Sequence, residues 1–267
     1  MRRDRPNGKL TGMQVDVVTA VHGGYACYLP AAWRSLCAQT HPDWRWLLQI
    51  DGPSAEVLAE LESCGAADDP RIYLGGNVTQ EGPATTRNVA LGRARAPLVQ
   101  NLDADDELEP TALATLAEAL AVHPDAGFAV GPARDLMDSG ELVDFPFPFP
   151  PGPLPRGALV DAWVTDRDNY RLPVVPAAVM WRRSLLLAAG GWAGLRNMED
   201  TGLLMAGSAL APGAVVDTIV LRYRKHHGQR TKETLEFNGW AGQISLIRRR
   251  AATLLAGPGW NAEVALV

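Results

Sequence analysis

Short apolar runs of strand length alternate along this chain with stretches in which apolar residues recur at helical spacing, and turn residues fall between them. Val15-Asp-Val-Val-Thr-Ala-Val21 is a β-branched run ending at Gly23-Gly24, which predicts a strand. Residues 1–14 before it are polar and read as a disordered lead-in. Leu29, Ala32, Trp33, Leu36 and Cys37 predict a helix over 28–39. The rhythm continues with a strand over 44–50, a helix over 54–64 opened by Ser54 as N-cap, and a strand over 71–74. A helix over 83–95, a strand over 98–102, a helix over 111–122 and a strand over 127–130 follow. Such alternation predicts parallel β-α-β units, an α/β fold with a doubly wound sheet.

Residues 144–157 break the pattern, because Phe-Pro-Phe-Pro-Phe-Pro-Pro-Gly-Pro-Leu-Pro sustains neither a helix nor a central strand. The segment reads as an extended loop, either a stiff surface crossover or a wall over an acceptor site. Beyond it the pattern predicts a strand over 174–181, short helices over 184–189 and 201–210, a strand over 215–223 and a long helix over 232–255. Trp163, Trp181 and Trp192 in this half suit either core packing or stacking on sugar rings, with packing the commoner fate of aromatics. The last helix carries Trp240, Ile244, Leu246 and Ile247 and ends in Arg248-Arg249-Arg250, which suits a packed or homodimer-forming helix better than membrane docking.

Composition narrows the partners. A chain of 267 residues, 47% hydrophobic and 21% charged, can bury a sizeable core. A formal charge of -5 offers no basic surface for phosphate neutralisation, so nucleic acid is excluded as a partner. Cys27, Cys37 and Cys64 lack metal-ligand spacing, and their odd number forbids a complete disulfide framework. No run approaches a membrane span of about 18 apolar residues, and no signal-peptide core follows the basic N-terminus. A cytoplasmic protein without a transmembrane segment is expected.

The densest chemistry is Asp103-Ala104-Asp105-Asp106, directly after the apolar run 98–102. Carboxylates crowded at the carboxyl end of a strand repel one another unless a cation is present, and oxygen-rich sites select Mg²⁺ or Mn²⁺. An acidic turn capping the next helix explains the quartet equally well. The strand ends Thr19-Ala20-Val21 and Asp51-Gly52 are expected on the same rim. Arg87, in Gly82-Pro-Ala-Thr-Thr-Arg87-Asn88, opens a helix where negative charge can bind. Glu199-Asp200 and His226-His227 are the remaining clusters, each also explicable as helix-end or solvated polar residues.

In order, these segments resemble the GT-A glycosyltransferases of inverting family 2. Val15 to His22 is similar to that family's opening strand, and Ser35-Leu-Cys-Ala-Gln39-Thr40-His-Pro42 to its SxxxQTxP segment. Ile50-Asp51-Gly52-Pro-Ser54 resembles DDGS, with Ile50 replacing the first aspartate and Pro53 inserted. Gly82 to Ala90 resembles GxxxARN, and Asp103 to Asp106 matches the metal motif. Met198-Glu199-Asp200 and Tyr223-Arg224-Lys225-His226 extend the resemblance to about residue 231. It implies a GT-A fold: a Rossmann-like, mostly parallel sheet flanked by helices, with an acceptor-side subregion and a C-terminal helix. The implied domain would span 15–231, with a nucleotide-binding half over 15–135, an acceptor half over 136–231 and a helical extension over 232–267.

The resemblance further implies residue roles. Thr19 and Asp51, with the backbone of Ala20 and Val21, would hold the nucleotide base. Arg87 would sit near the base or diphosphate, Asp103 and Ala104 at the ribose, and Asp105 at Mn²⁺ or Mg²⁺. His226, with His227 competing, would complete the metal site or touch the diphosphate, as Arg224 and Arg230 could. Asp200 would act as base, with Glu199 positioning the acceptor or the base. The implied reaction transfers one sugar, with inversion, from a nucleotide-diphosphate sugar to a hydroxyl of a small-molecule or cell-envelope acceptor. UDP is favoured over GDP and dTDP. Two other readings stand beside it: a nucleotidyltransferase, although no glycine- and lysine-rich phosphate loop follows the first strand, and a sugar-nucleotide-binding protein without activity.

Overall fold

A computed structural model of the chain describes residues 13–144, 146–165, 170–227 and 240–261. Most of the expected lead-in, Arg230 and the first part of the expected last helix lie outside these residues. The nucleotide-side half opens with β1 (Val15–Val21), a 3-10 turn over Gly23–Tyr28, α1 (Leu29–Cys37), β2 (Trp44–Ile50), α2 (Ala55–Ser63), β3 (Ile72–Gly76) and α3 (Pro83–Leu91). It continues with β4 (Leu98–Asn101), β5 (Glu107–Leu108), α4 (Ala112–Val122), β6 (Phe128–Val130) and β7 (Ala133–Leu136). The second half contains β8 (Leu142–Asp144), β9 (Gly152–Leu154), α5 (Ala158–Asp161), β10 (Val164–Thr165), β11 (Tyr170–Arg171) and β12 (Val179–Arg182). It closes with α6 (Arg183–Ala188), α7 (Glu199–Leu210), β13 (Gly213–Val215), β14 (Leu221–Arg224) and α8 (Trp240–Ala256).

The main sheet has the order β3-β2-β1-β4-β12-β6-β13-β9. β1 pairs in parallel with β2 and β4, β2 with β3, and β6 with β13, while β12 runs antiparallel between β4 and β6. Both faces are covered, so the central strands are rich in buried apolar residues; Val15, Val17, Val18, Leu48, Leu98 and Val99 are fully buried. Each such side chain contributes roughly 1.5–3 kcal/mol relative to exposure. Buried Asp16 sits inside this apolar setting because Arg45 grips it at 2.8 and 2.9 Å and the Arg95 and Ala96 N–H groups donate to Oδ2. These bonds pin the start of β1 to β2 and to the turn before β4.

Ser54 caps α2 as expected, accepting the Val57 N–H at 3.3 Å. Four expectations need correction. The expected strand over 215–223 is two strands in different sheets: β13 joins the main sheet, while β14 joins a small sheet of order β5-β14-β7-β8. The Pro-rich segment is not wholly irregular, since Gly152–Leu154 adds β9 antiparallel to β13 at the sheet edge, where a missing proline N–H costs no ladder bond. The helix expected over 83–95 ends at Leu91 and the one expected over 201–210 begins at Glu199, putting both acidic residues in its first turn. The two proposed halves share one sheet, because β12 from the second lies between β4 and β6 of the first.

Candidate active site

The carboxyl ends of β1, β2 and β4 form a rim where open α/β sheets bind ligands. The Asp51 N–H donates to the Val21 carbonyl at 2.7 Å and the Leu102 N–H to the Val18 carbonyl at 3.1 Å, so the three strand ends lie side by side as expected. Ala20 is partly exposed there and Val21 is buried. Thr19 is enclosed: its hydroxyl donates to the Leu102 carbonyl at 2.7 Å and accepts the Trp46 Nε1–H at 2.8 Å. Its side chain therefore fastens β1 to β2 and to the chain after β4.

Asp51 is likewise tied into the framework. Its carboxylate accepts the Glu81 N–H at 2.7 Å, the Gly82 N–H at 3.0 Å, the Thr86 hydroxyl at 2.8 Å and the Asn77 amide at 3.2 Å. Three of these donors meet Oδ1 and one meets Oδ2, so the carboxylate ties the 77–86 segment to the end of β2. Asp51 thereby caps α3 from outside, serving a helix whose own N-cap is Gly82, at φ 86° and without a side chain.

α3 delivers Arg87 into a ring of carboxylates. Its guanidinium lies 2.5 Å from Asp103, 3.4 Å from Asp200 and 3.9 Å from Glu199, and the side chain is 6% exposed. Burial works against the charge, but the three carboxylates overcome it and hold the guanidinium above its ordinary pKa. Arg87 thus serves protein carboxylates, where the resemblance placed it at the nucleotide.

The acidic quartet divides by position. Asp103 faces the cleft, held by Arg87 and by the Asn101 amide at 3.3 Å; Ala104 is buried behind it. Asp105 Oδ2 lies 2.9 Å from His226 Nε2, and burial followed by repulsion from Asp103 raises its carboxyl pKa. His226 packs edge-on to Tyr25 and against Tyr28, whereas His227 is exposed. Asp106 does not cap α4. It is fully buried, accepts the Arg224 N–H at 2.9 Å, and is pushed well above the carboxylate range by burial and by Asp105 and Asp103. Arg224 also donates from Nε to the Asp105 carbonyl at 2.8 Å and pairs with Glu107, so it buttresses the quartet's turn.

Asp105 and His226 are ligand types that Mg²⁺ or Mn²⁺ accepts. Among the described residues no three carboxylate, imidazole or thiolate groups assemble a full cage. The donor set fits a cation that takes its remaining ligands from substrate phosphates, the usual habit of Mg²⁺.

Opposite the quartet, Glu199 and Asp200 occupy the first turn of α7, where the helix dipole favours carboxylates. Glu199 is 2% exposed, while the Asp200 side chain keeps 22% of its surface open. Burial lifts the Asp200 carboxyl to about 7; Glu199 and Asp103 add to the rise, and Arg87 and the Trp192 N–H oppose it. Trp192 donates from Nε1 to Asp200 Oδ1 at 3.0 Å. Trp163, Trp181 and Trp192 are all at most 5% exposed, which settles them in the core rather than on a sugar. Sequence reasoning missed the hydrogen-bonding roles of Trp192, Asn88, Asn77 and Thr86, for which the only local sign was Asn88 beside Arg87.

The mixed, largely parallel sheet flanked by helices, with an acidic rim at its strand ends, is that of the GT-A fold. TarS 1-349 from S. aureus in complex with UDP-GlcNAc is 18% identical with a TM-score of 0.69, covering 91% of this chain and 71% of that one. The mannosyltransferase PcManGT from Pyrobaculum calidifontis, in complex with GDP-Man and Mn²⁺, is 16% identical with a TM-score of 0.59, covering 94% and 67%. At these identities the likeness speaks for the fold. The sequence model of Glycosyl transferase family 2 matches residues 16–166, and the chain belongs to that family. The O-antigen biosynthesis protein RfbC of Myxococcus xanthus is 31% identical over 111 residues, 42% of this chain and 9% of that protein. A second relative, the uncharacterised protein y4gI of Sinorhizobium fredii, is 26% identical over 136 residues, 51% of this chain and 15% of that protein. The matched stretches therefore span less than a sixth of either curated relative. Among the described residues no helix is long and apolar enough to cross a membrane.

Proposed function

We propose that the chain is a metal-dependent inverting glycosyltransferase that moves one sugar from a nucleotide-diphosphate donor, UDP-linked first among the candidates, to an acceptor hydroxyl. One observation carries this reading: donor-side Asp103 and acceptor-side Asp200 face the same buried guanidinium, with the Asp105–His226 pair beside them. Main chain at Ala20 and Val21 would meet the base, in a loop framework held by Asp51. Asp103 would accept a ribose hydroxyl. Asp105 and His226 would hold Mg²⁺ or Mn²⁺, which when bound neutralises charge growing on the diphosphate leaving group. Asp200 would accept the acceptor hydroxyl's proton as that oxygen attacks the anomeric carbon from the face opposite the diphosphate, which inverts the configuration. A carboxyl poised near 7 suits this task, since the base is available at neutral pH yet basic enough to take a proton. Glu199 would set the field around it. The domain would run over 15–231, with α8 as an appended helix.

A panel of UDP-, GDP- and dTDP-sugars, read by thermal stabilisation with and without Mn²⁺, tests the donor step. Stabilisation by one nucleotide class that depends on Mn²⁺ and is lost in Asp105→Ala supports it. Stabilisation indifferent to the metal would remove the role assigned to Asp105.

A further inference from the structure

Two consecutive residues of α3 act on Asp200. Arg87 reaches it directly, Nη1 to Oδ1 at 3.4 Å. Asn88 does so through an intermediary: its Oδ1 accepts the Trp192 N–H at 2.9 Å, and its Nδ2 donates to the Trp192 carbonyl at 2.9 Å. This paired clasp fixes the main chain of Trp192, whose indole Nε1–H then donates to Asp200 Oδ1. The clasp requires Gly191, which has φ 68° and whose absent Cβ would lie 2.2 Å from Asn88 Oδ1. Trp192 is 2% exposed, so close packing holds the indole in its orientation.

We infer that Trp192 is a positioning residue that aims the Asp200 carboxylate, and that Asn88 sets Trp192. The inference rests on the proposed role of Asp200 as base. An indole N–H donates and never accepts, so it bonds more strongly to a carboxylate than to a carboxylic acid and favours the form that can take a proton. Both donors meet Oδ1, and among the described residues none reaches Oδ2. One oxygen is tethered, and the other is left to meet the acceptor hydroxyl. Catalysis by a base depends on such placement, because hydrogen-bond reach to the moving proton is the first requirement.

The indole ¹H–¹⁵N resonance of Trp192, assigned by its loss in Trp192→Phe, tests the contact in the full chain without any ligand. Followed over about pH 5 to 9, it should titrate with a midpoint near 7, and the movement should vanish in Asp200→Asn. A resonance that ignores pH, or titrates unchanged in Asp200→Asn, overturns the proposal. The kinetic arm uses whichever sugar nucleotide the wild type turns over. Trp192→Phe should lower kcat about tenfold with donor KM unchanged, and move the acid limb of the pH profile up by about one unit, since a donor to the charged form is lost. Asn88→Ala, which keeps both the helix and the indole, should act in the same direction more weakly. Wild-type kcat and limb in both variants, with Asp200→Asn inactive, would refute the positioning role alone. Turnover retained in Asp200→Asn would instead refute the base assignment, and the positioning role with it.

Discussion

Asp51 at the end of β2 and Asp200 in the first turn of α7 are both carboxylates, and their surroundings differ in kind. Asp51 is met by four neutral donors from one loop and one helix, all within 35 residues along the chain. Asp200 receives two donors on a single oxygen, from residues brought together by the fold, and has Glu199 and Asp103 as like-charged neighbours. A carboxylate met by several fixed dipoles from neighbouring backbone and side chains serves architecture, because those bonds hold the framework in place. One left undersupplied, partly desolvated and crowded by negative charge is suited to taking a proton. On the proposed reading, the contrast separates the framework of the donor side from the chemistry of the acceptor side.

The largest expected effect breaks the comparison if it fails. Asp200→Asn should lower transfer by about 10³-fold while nucleotide-dependent thermal stabilisation persists, the scale of removing a positioned general base. Near-wild-type transfer would leave the acceptor side without a base. Arg87→Met should cost about 3 kcal/mol of stability in denaturant unfolding, since it leaves Asp103, Glu199 and Asp200 facing one another without their buried cation. Asp51→Ala should cost about 2 kcal/mol by the same measurement, because two backbone N–H groups and the Thr86 hydroxyl lose their acceptor. An Asp51→Ala protein of unchanged stability that no longer binds nucleotide would return Asp51 to the ligand and erase the contrast.

The pH dependence sharpens the Asp200 side. Transfer should fall tenfold per unit as pH drops below about 7, following loss of the carboxylate. Stability follows the opposite logic. The folded carboxyl titrates near 7 and an unfolded aspartate near about 3.9, so between those values the folded state holds the additional proton and stability declines as pH rises. The full cost is present above about 7. Asp200→Asn should therefore unfold at a higher temperature than wild type near pH 8, with the gap closing towards about pH 4; an equal difference at both ends would show that Asp200 carries no raised pKa.

Much of the fold was legible in the sequence because the signals were local. The β-branched run 15–21, the alternation of strand and helix periods and the Ser54 cap each rest on a few neighbouring residues, and all recur in the structure. Strands of three or four residues such as β13 and β14 carry too little pattern to show their separation, since sheet membership depends on partners far away. The acidic quartet and the Glu199-Asp200 pair stood out as clusters of charge, and their order along the chain matched a family. Their division of labour did not stand out, because it depends on which oxygen meets which donor. The chain alone determined the α/β class, the rim at the strand ends and the residue types that gather there. Only tertiary structure decided that Thr19 and Asp51 face inward, that Arg87 links carboxylates from opposite sides of the cleft, and that Asn88 reaches Asp200 through Trp192. Those contacts join residues up to 113 positions apart, and burial, which sets their strength, is a property of the packed molecule.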